Sequence, residues 1–256
     1  MIMELIMFSV ENVKSGIIIK KGSTYAELDF LVQPIVDTES SEIRYFEVLS
    51  RVSKHSGEQL NSEDFFSEID DEFIKLVSIH QIYYFQRHGI GKEFSINLTM
   101  STLLDEQFIL NLLSFKKKNF ILEINDVNHD VRCTILLNNI AKLQRSGIKI
   151  WLDDYYHEYN SANLTFGLIT WDRIKIDKSV LHHNSDVSLL ADSIYYVLQP
   201  YCKDGLIFEG IESSFQHNVV KGENILGQGY YYAYPDTLNS FEDNTFQLKK
   251  DKNATY

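Results

Sequence analysis

Short apolar runs alternate with longer helical patterns along most of this chain. The runs are Phe30–Val36, Arg44–Val52, Glu93–Leu98, Phe120–Asn125, Ile148–Asp153, Arg173–Ile176, Leu206–Gly210 and a last one at Gly227–Tyr230. They are short, apolar and set between helical segments, so they read as strands. Between them, Asp70–His88 places Phe73, Leu76, Val77, Ile79, His80 and Tyr84 at helical spacing. Ser101–Leu113, Val131–Ser146 and Asp186–Leu198 behave alike. Ser101 is a candidate N-cap, and Gly147 a candidate helix terminator. Repeated βα alternation over this length predicts an α/β fold, a single-domain TIM-like (β/α)8 barrel, with a doubly wound open sheet as the alternative. Only three prolines and twelve glycines occur, so no flexible linker divides the chain. The expected organisation is an N-terminal extension over 1–27, a barrel over 28–238 and a polar tail over 239–256.

Composition narrows the function. The chain has 256 residues, 44% of them hydrophobic, which is ample for one large core and short for two. Its formal net charge is −12 and its isoelectric point about 5.1, which argues against a long basic face for a nucleic-acid polymer. The acidity leaves room for a small phosphate ligand held by a few cations. Cys133 and Cys202 belong to no CxxC or Cys/His cluster and read as free thiols suited to a reducing compartment. Residues 1–10 carry Glu4 and lack both a basic leader region and a cleavage site. No run approaches a membrane span. The expectation is a cytoplasmic protein without a membrane partner.

In a parallel barrel, chemistry gathers at the C-terminal ends of the strands. The polar residues ending these runs are Glu47, Asn97, Glu123, Asp153, Asp154, Lys175, Asp177, Glu209 and Gln228. Carboxylates gathered at one rim repel each other unless cations neutralise them. An all-oxygen donor set suits Mg²⁺ or Mn²⁺ better than zinc. A two-ion site for phosphoryl chemistry is the natural reading.

These residues occur inside a series of motifs. Gln33-Pro34-Ile35 resembles the QPI segment of the EAL family of cyclic di-GMP phosphodiesterases. Glu47-Val48-Leu49-Ser50-Arg51 resembles that family's EAL-x-R signature, with Val in place of Ala. Asn97-Leu98-Thr99 resembles NLS, Leu122–Asp126 resembles LEITE, and Asp153-Asp154 resembles the start of DDFGTG. Lys175-Ile176-Asp177 matches KID, Glu209–Glu212 resembles EGVE, and Gln228-Gly229-Tyr230 matches QGY. Each motif is weak alone; all of them in family order, from about Leu28 to Pro235, are specific.

The resemblance implies a TIM-like barrel, usually with an irregular first strand. It implies hydrolysis of cyclic di-GMP to linear pGpG with two Mg²⁺ or Mn²⁺ ions. Carried over by position, Glu47, Asn97, Glu123, Asp153, Asp154 and Asp177 are implied metal-site residues. Lys175 corresponds to the lysine that positions or activates the attacking water, and Glu209 and Gln228 to residues organising that site. Gln33 and Arg51 correspond to ligand contacts, Arg51 to phosphate through its fork of donors. The family's glycine-rich FGTG loop is here Tyr155-Tyr156-His157-Glu158, and Asp126 replaces a glutamate that helps anchor it. The resemblance implies a homodimer as a partner, and because that loop bears on the family's dimer, its altered sequence counts against one here. The altered loop leaves a second function open, that of a weak or inactive relative acting as a cyclic di-GMP receptor or protein-interaction regulator.

Overall fold

The strands follow from a strict inward–outward alternation. A computed structural model describes residues 8–21, 24–89, 91–156, 161–182 and 187–241. Within them the strands are β1 Ser9–Val13, β2 Gly16–Lys21, β3 Thr24–Asp37, β4 Ile43–Ser53, β5 Glu93–Thr99, β6 Phe120–Asp126, β7 Lys149–Tyr155, β8 Arg173–Ile176, β9 Leu206–Phe208 and β10 Ile225–Gly227. The helices are α1 Ser62–Ser67, α2 Asp71–His88, α3 Glu106–Ser114, α4 Thr134–Arg145, α5 Ser179–His182, α6 Val187–Leu198 and α7 Ser214–Val220.

Strands β4 to β10 pair in parallel, each with its sequence neighbour. The barrel closes through β3, which pairs antiparallel with both β4 and β10. The expected (β/α)8-type barrel is therefore present, with an antiparallel first member. β3 is 14 residues long and reaches beyond the barrel. Its residues Thr24–Asp29 pair with β2, which in turn pairs with β1. Further along the strand, the Phe30 amide donates to the Ser15 carbonyl, Val32 exchanges two bonds with Asp236, and Val36 and Asp37 meet β10. Its backbone is thus engaged in turn by the hairpin, the segment after β10 and β10 itself.

Two buried clusters lie on opposite faces of the barrel wall. Residues such as Phe46, Phe94, Ile96, Leu122, Ile150, Leu152, Ile174 and Phe208 face outward and pack with the helices. Ile35, Ile121, Trp151, Ile207 and Leu226 face inward and fill the barrel, with Tyr45 against them. The side-chain period of two explains the split: Leu122 and Trp151 belong to different clusters although each has the other kind as its chain neighbour. The inward apolar layer separates a polar mouth from a polar foot.

Several boundaries differ from the sequence reading. The last strand is Ile225–Gly227 rather than Gly227–Tyr230, and β9 stops at Phe208, before Gly210 with its φ of +63°. The segment expected as one helix from Ser101 is a 3₁₀ turn, Met100–Leu104, followed by α3. Asp105 has extended geometry and caps α3, accepting from the Gln107 and Phe108 amides. Ser101 instead donates its amide to Asn128 Oδ1. Gly147 does follow the end of α4, at φ +90°. Asp186, expected to begin a helix, lies outside the described residues.

Asp105 also takes a hydrogen bond from Lys75 Nζ at 2.5 Å, and Lys75 pairs with Glu72 as well. The Lys75 bond holds the Asp105 carboxyl below its ordinary value of 3.8. Asp105→Ala should cost about 1–2 kcal/mol, read as a lower urea midpoint, because it removes the cap of α3. A depressed carboxyl contributes stability above its unfolded value and loses it as the pH falls through the folded one. The gap between wild type and variant should therefore be open at neutral pH and close below about pH 3.8.

Candidate active site

The barrel mouth holds one ammonium among four carboxylates. Lys175, on β8, is 1% exposed. Its Nζ lies 3.3 Å from Glu47, 2.9 Å from Glu123, 3.1 Å from Asp153 and 2.7 Å from Glu209. These residues come from β4, β6, β7 and the segment just after β9. The converging inward faces of separate strands make the cluster, and no single stretch of sequence contains it.

Amide side chains tie it to the wall. Asn97 Nδ2 donates to Glu47 Oε1 at 3.0 Å. Gln228 Nε2 donates to Glu47 Oε2 at 2.5 Å and to Gln33 Oε1 at 3.0 Å, and Gln33 Nε2 donates to the Ala233 carbonyl. Gln228 is followed by Gly229, where a Cβ would sit 2.2 Å from the Ile211 carbonyl oxygen. Only glycine lets the Ile211 backbone come close enough to bond both Gln228 and Tyr231.

One ammonium cannot neutralise four carboxylates, so burial and mutual repulsion make most of them weaker acids. Burial pushes the Glu123 carboxyl up to about 8; Lys175 opposes that rise, and Glu47 and Asp153 add to it. Asp153 and Glu209 are also raised, first by burial and then by their neighbours. Burial alone would raise Glu47, but Lys175, Asn97 and Gln228 favour its ionised form and hold it below the usual value. The carboxylates in turn hold Lys175 well above its ordinary value against the effect of burial.

The donor set fits divalent cations. One oxygen each from Asp153, Asp154 and Glu209 lies within 4.8 Å of the others. Glu123 Oε1 is buried without a hydrogen-bond partner. An orphaned carboxylate oxygen beside surplus negative charge is a place for a cation. Asp154 reaches the site through an unusual backbone. The β7–β8 register shifts between Leu152 and Tyr155, and Asp154 and Tyr156 have φ of +53° and +83°. Non-glycine residues rarely adopt this left-handed region. His157 and Glu158 of the altered loop lie outside the described residues.

The remaining site candidates sit further from the cluster. Asp177 borders the same cleft, and its Oδ1 accepts the Ser179 amide at the start of α5. Arg51 lies on the cleft wall, 3.0 Å from Asp29, which also takes a hydrogen bond from Ser15. The cleft has a volume of about 1150 Å³. Asp126 lines it too, and its carboxyl is raised by burial and by Asp71. Tyr230 was missed as a cleft residue. It is 48% exposed there and stacks on Tyr234 with ring centroids 4.3 Å apart, whereas its neighbour Tyr232 is buried. Three consecutive tyrosines conceal that difference in sequence. Ser95 was missed as well: it faces inward from β5 beside Glu47, a position readable from the Glu93-Ser95-Asn97 alternation.

A parallel barrel with an antiparallel first member and an acidic mouth defines the class of scaffold. The EAL domain family profile matches residues 21–235, and the chain belongs to that family. No curated protein sequence matches this one. Among solved structures, the EAL domain protein of Listeria monocytogenes is 22% identical, covering 84% of this chain and 90% of that one with a TM-score of 0.68. The FimX EAL domain of Xanthomonas citri, solved with cyclic di-GMP, is 14% identical over 87% and 91% of the two chains, TM-score 0.67. Klebsiella pneumoniae BlrP1, solved with manganese and cyclic di-GMP, is 17% identical over 90% of this chain and 59% of that one, TM-score 0.63. EAL domains are generally metal-dependent phosphodiesterases, and this chain carries an acidic cluster of the kind they use.

The charge balance predicts a conditional stability. Lys175→Met removes the cation from a buried ionic group, a change that typically costs about 3–5 kcal/mol. In EDTA the variant should melt well below the wild type. Millimolar Mn²⁺ should recover much of the difference. Equal melting of both proteins in EDTA would show that the carboxylates do not need Lys175.

Proposed function

We propose that this chain hydrolyses cyclic di-GMP to linear pGpG with the help of two divalent ions, Mg²⁺ or Mn²⁺. The observation that carries the reading is the surplus of buried carboxylate around Lys175, with Glu123 Oε1 unpartnered. Solved EAL structures containing cyclic di-GMP support the ligand. Glu47, Asn97, Glu123 and Asp153 would hold one ion, with Asp154 and Asp177 near the second. Bound there, such ions supply charge stabilisation and an acidified water for attack on phosphorus.

The chain's own residues orient that chemistry. The carboxylates around Lys175 hold its proton in place, so the lysine acts by donating hydrogen bonds to the attacking water rather than by taking its proton. Glu209 fixes the ammonium from just beyond the end of β9. Gln228 holds Glu47 and Gln33 in one network. Arg51 presents a guanidinium fork to a phosphate from the cleft wall, exchanging its Asp29 contact for the ligand. Tyr230 offers a ring face to a guanine base at the rim.

A second reading, a cyclic di-GMP receptor with weak or no catalysis, draws on the loop. Asp154 and Tyr156 occupy left-handed backbone just where the family's pattern continues into glycines. Turnover of cyclic di-GMP with Mn²⁺, beside calorimetric binding with Ca²⁺, separates the readings. Binding without any pGpG formation would select the receptor.

Three variants follow. Glu47→Ala should abolish turnover and weaken Mn²⁺ binding; unchanged activity would sink the assignment. Lys175→Ala should keep affinity in Ca²⁺ within a few-fold, while kcat falls by about 10²–10⁴. If affinity falls in step with rate, Lys175 is a binding or structural residue. Replacing Tyr155–Glu158 by Phe-Gly-Thr-Gly should raise the rate, since glycines relieve the left-handed strain; an unchanged or lower rate would mean the native loop has its own working geometry.

A further inference from the structure

The foot of the barrel contains a second polar cavity, at the opposite end from the carboxylate cluster. Its volume is about 470 Å³, and Tyr45, Tyr195, Gln199, Arg173, Lys203 and Asp204 help line it. Arg173 and Lys175 stand two residues apart on β8, so the strand's alternation sends both to its inward face. Lys175 faces the mouth above the apolar layer of Ile35, Ile121, Trp151, Ile207 and Leu226. Arg173 lies below it.

Arg173 is only 9% exposed. Among the described residues it has no ion-pair partner, whereas the buried Lys175 has four carboxylates and Lys75 has two. Its Nε is buried without an acceptor. Its Nη1 reaches the Asn224 carbonyl only at 3.4 Å, and its Cζ sits 5.8 Å from the centroid of the Tyr45 ring. The acids around it are engaged elsewhere or fail to reach. Asp172 takes Lys203 Nζ at 2.9 Å and the Ile150 amide at 2.8 Å, and Glu93 takes Lys149. Asp204 lines the same cavity without pairing to the guanidinium. A buried, uncompensated charge is costly unless something in the cavity neutralises it. A planar fork with free donors selects an oxyanion.

We propose that the barrel foot binds a small oxyanion of the phosphate class, held by the Arg173 guanidinium, with Lys203 as the second cation. Tyr45 backs the guanidinium and leaves its donor edge for the ligand. The site is independent of the catalytic reading, because it needs no metal and shares no residue with the mouth.

The test uses the whole chain in EDTA at constant ionic strength, with sodium phosphate exchanged for sodium chloride. Without metal the mouth loses the cations of its phosphate site, and the variants at the foot separate any response left at Arg51. Wild type should show a saturable rise in melting temperature with inorganic phosphate. Arg173→Gln should abolish the rise, and Lys203→Met should shift half-saturation about tenfold higher, the loss of one charge-assisted contact. Lys203 is 48% exposed, and Asp172, its buried partner, keeps the Ile150 amide when Lys203 is replaced, so its variant decides the matter if Arg173→Gln does not fold. A parallel arm with 5′-GMP assigns the source. Tighter saturation by GMP that both variants weaken means a nucleotide phosphate, and equal or weaker saturation means the free ion. A phosphate response no larger than that to chloride, or one unchanged in both variants, overturns the proposal.

Discussion

Everything in this molecule hangs on the closure of the barrel by β3. Seven parallel strands alone would leave two open edges, β4 and β10, and both find their hydrogen bonds on the one antiparallel strand between them. That closure sets Gln33 opposite Glu47 and brings Gln228 within reach of both. Opened at this seam, the sheet would retain the Lys175 pairs to Asp153 and Glu209, which lie on or just beyond its two neighbouring strands. It would lose the link to Glu47 across the barrel. The mouth is thus a product of circular geometry and not of any one motif.

The same geometry decides how polar groups are sorted. Each strand puts apolar side chains toward the helices and gives its inward face to three levels: charge at the mouth, hydrocarbon in the middle, charge at the foot. The Trp151 layer holds the ions at the two ends apart and gives them no polar contact, so each end must find its own counter-charge close by. At the mouth the carboxylates outnumber the one ammonium, whereas at the foot Asp172 and Asp204 match Lys203 and Arg173 in number and the Arg173 guanidinium alone lacks a close partner.

Much of this was legible in the sequence. The seven parallel strands, the polar residues at their ends and the order of the motifs fixed the barrel and brought forward Glu47, Glu123, Asp153, Lys175, Glu209 and Gln228, which the fold does gather. What escaped reading was set by tertiary contacts. The hairpin β1–β2 is stabilised by pairing with the overhang of β3, and its short, half-polar strands carry little signal alone. Asp105 broke a helix that periodicity alone continued, because its cap and its Lys75 contact outweigh propensity. The exposure of Tyr230 against the burial of Tyr232 depends on the turn after Gly229, which one-dimensional pattern does not encode.

The left-handed backbone at Asp154 has a consequence for how this lineage can vary. Asparagine and aspartate tolerate that conformation better than other side chains apart from glycine, since their short polar arms bond locally. The position can therefore exchange charge for neutrality through Asn with hardly any disturbance of the chain path. Most other replacements must bend the loop before they alter its chemistry. Loss of this charge therefore has an easy route that leaves the barrel intact.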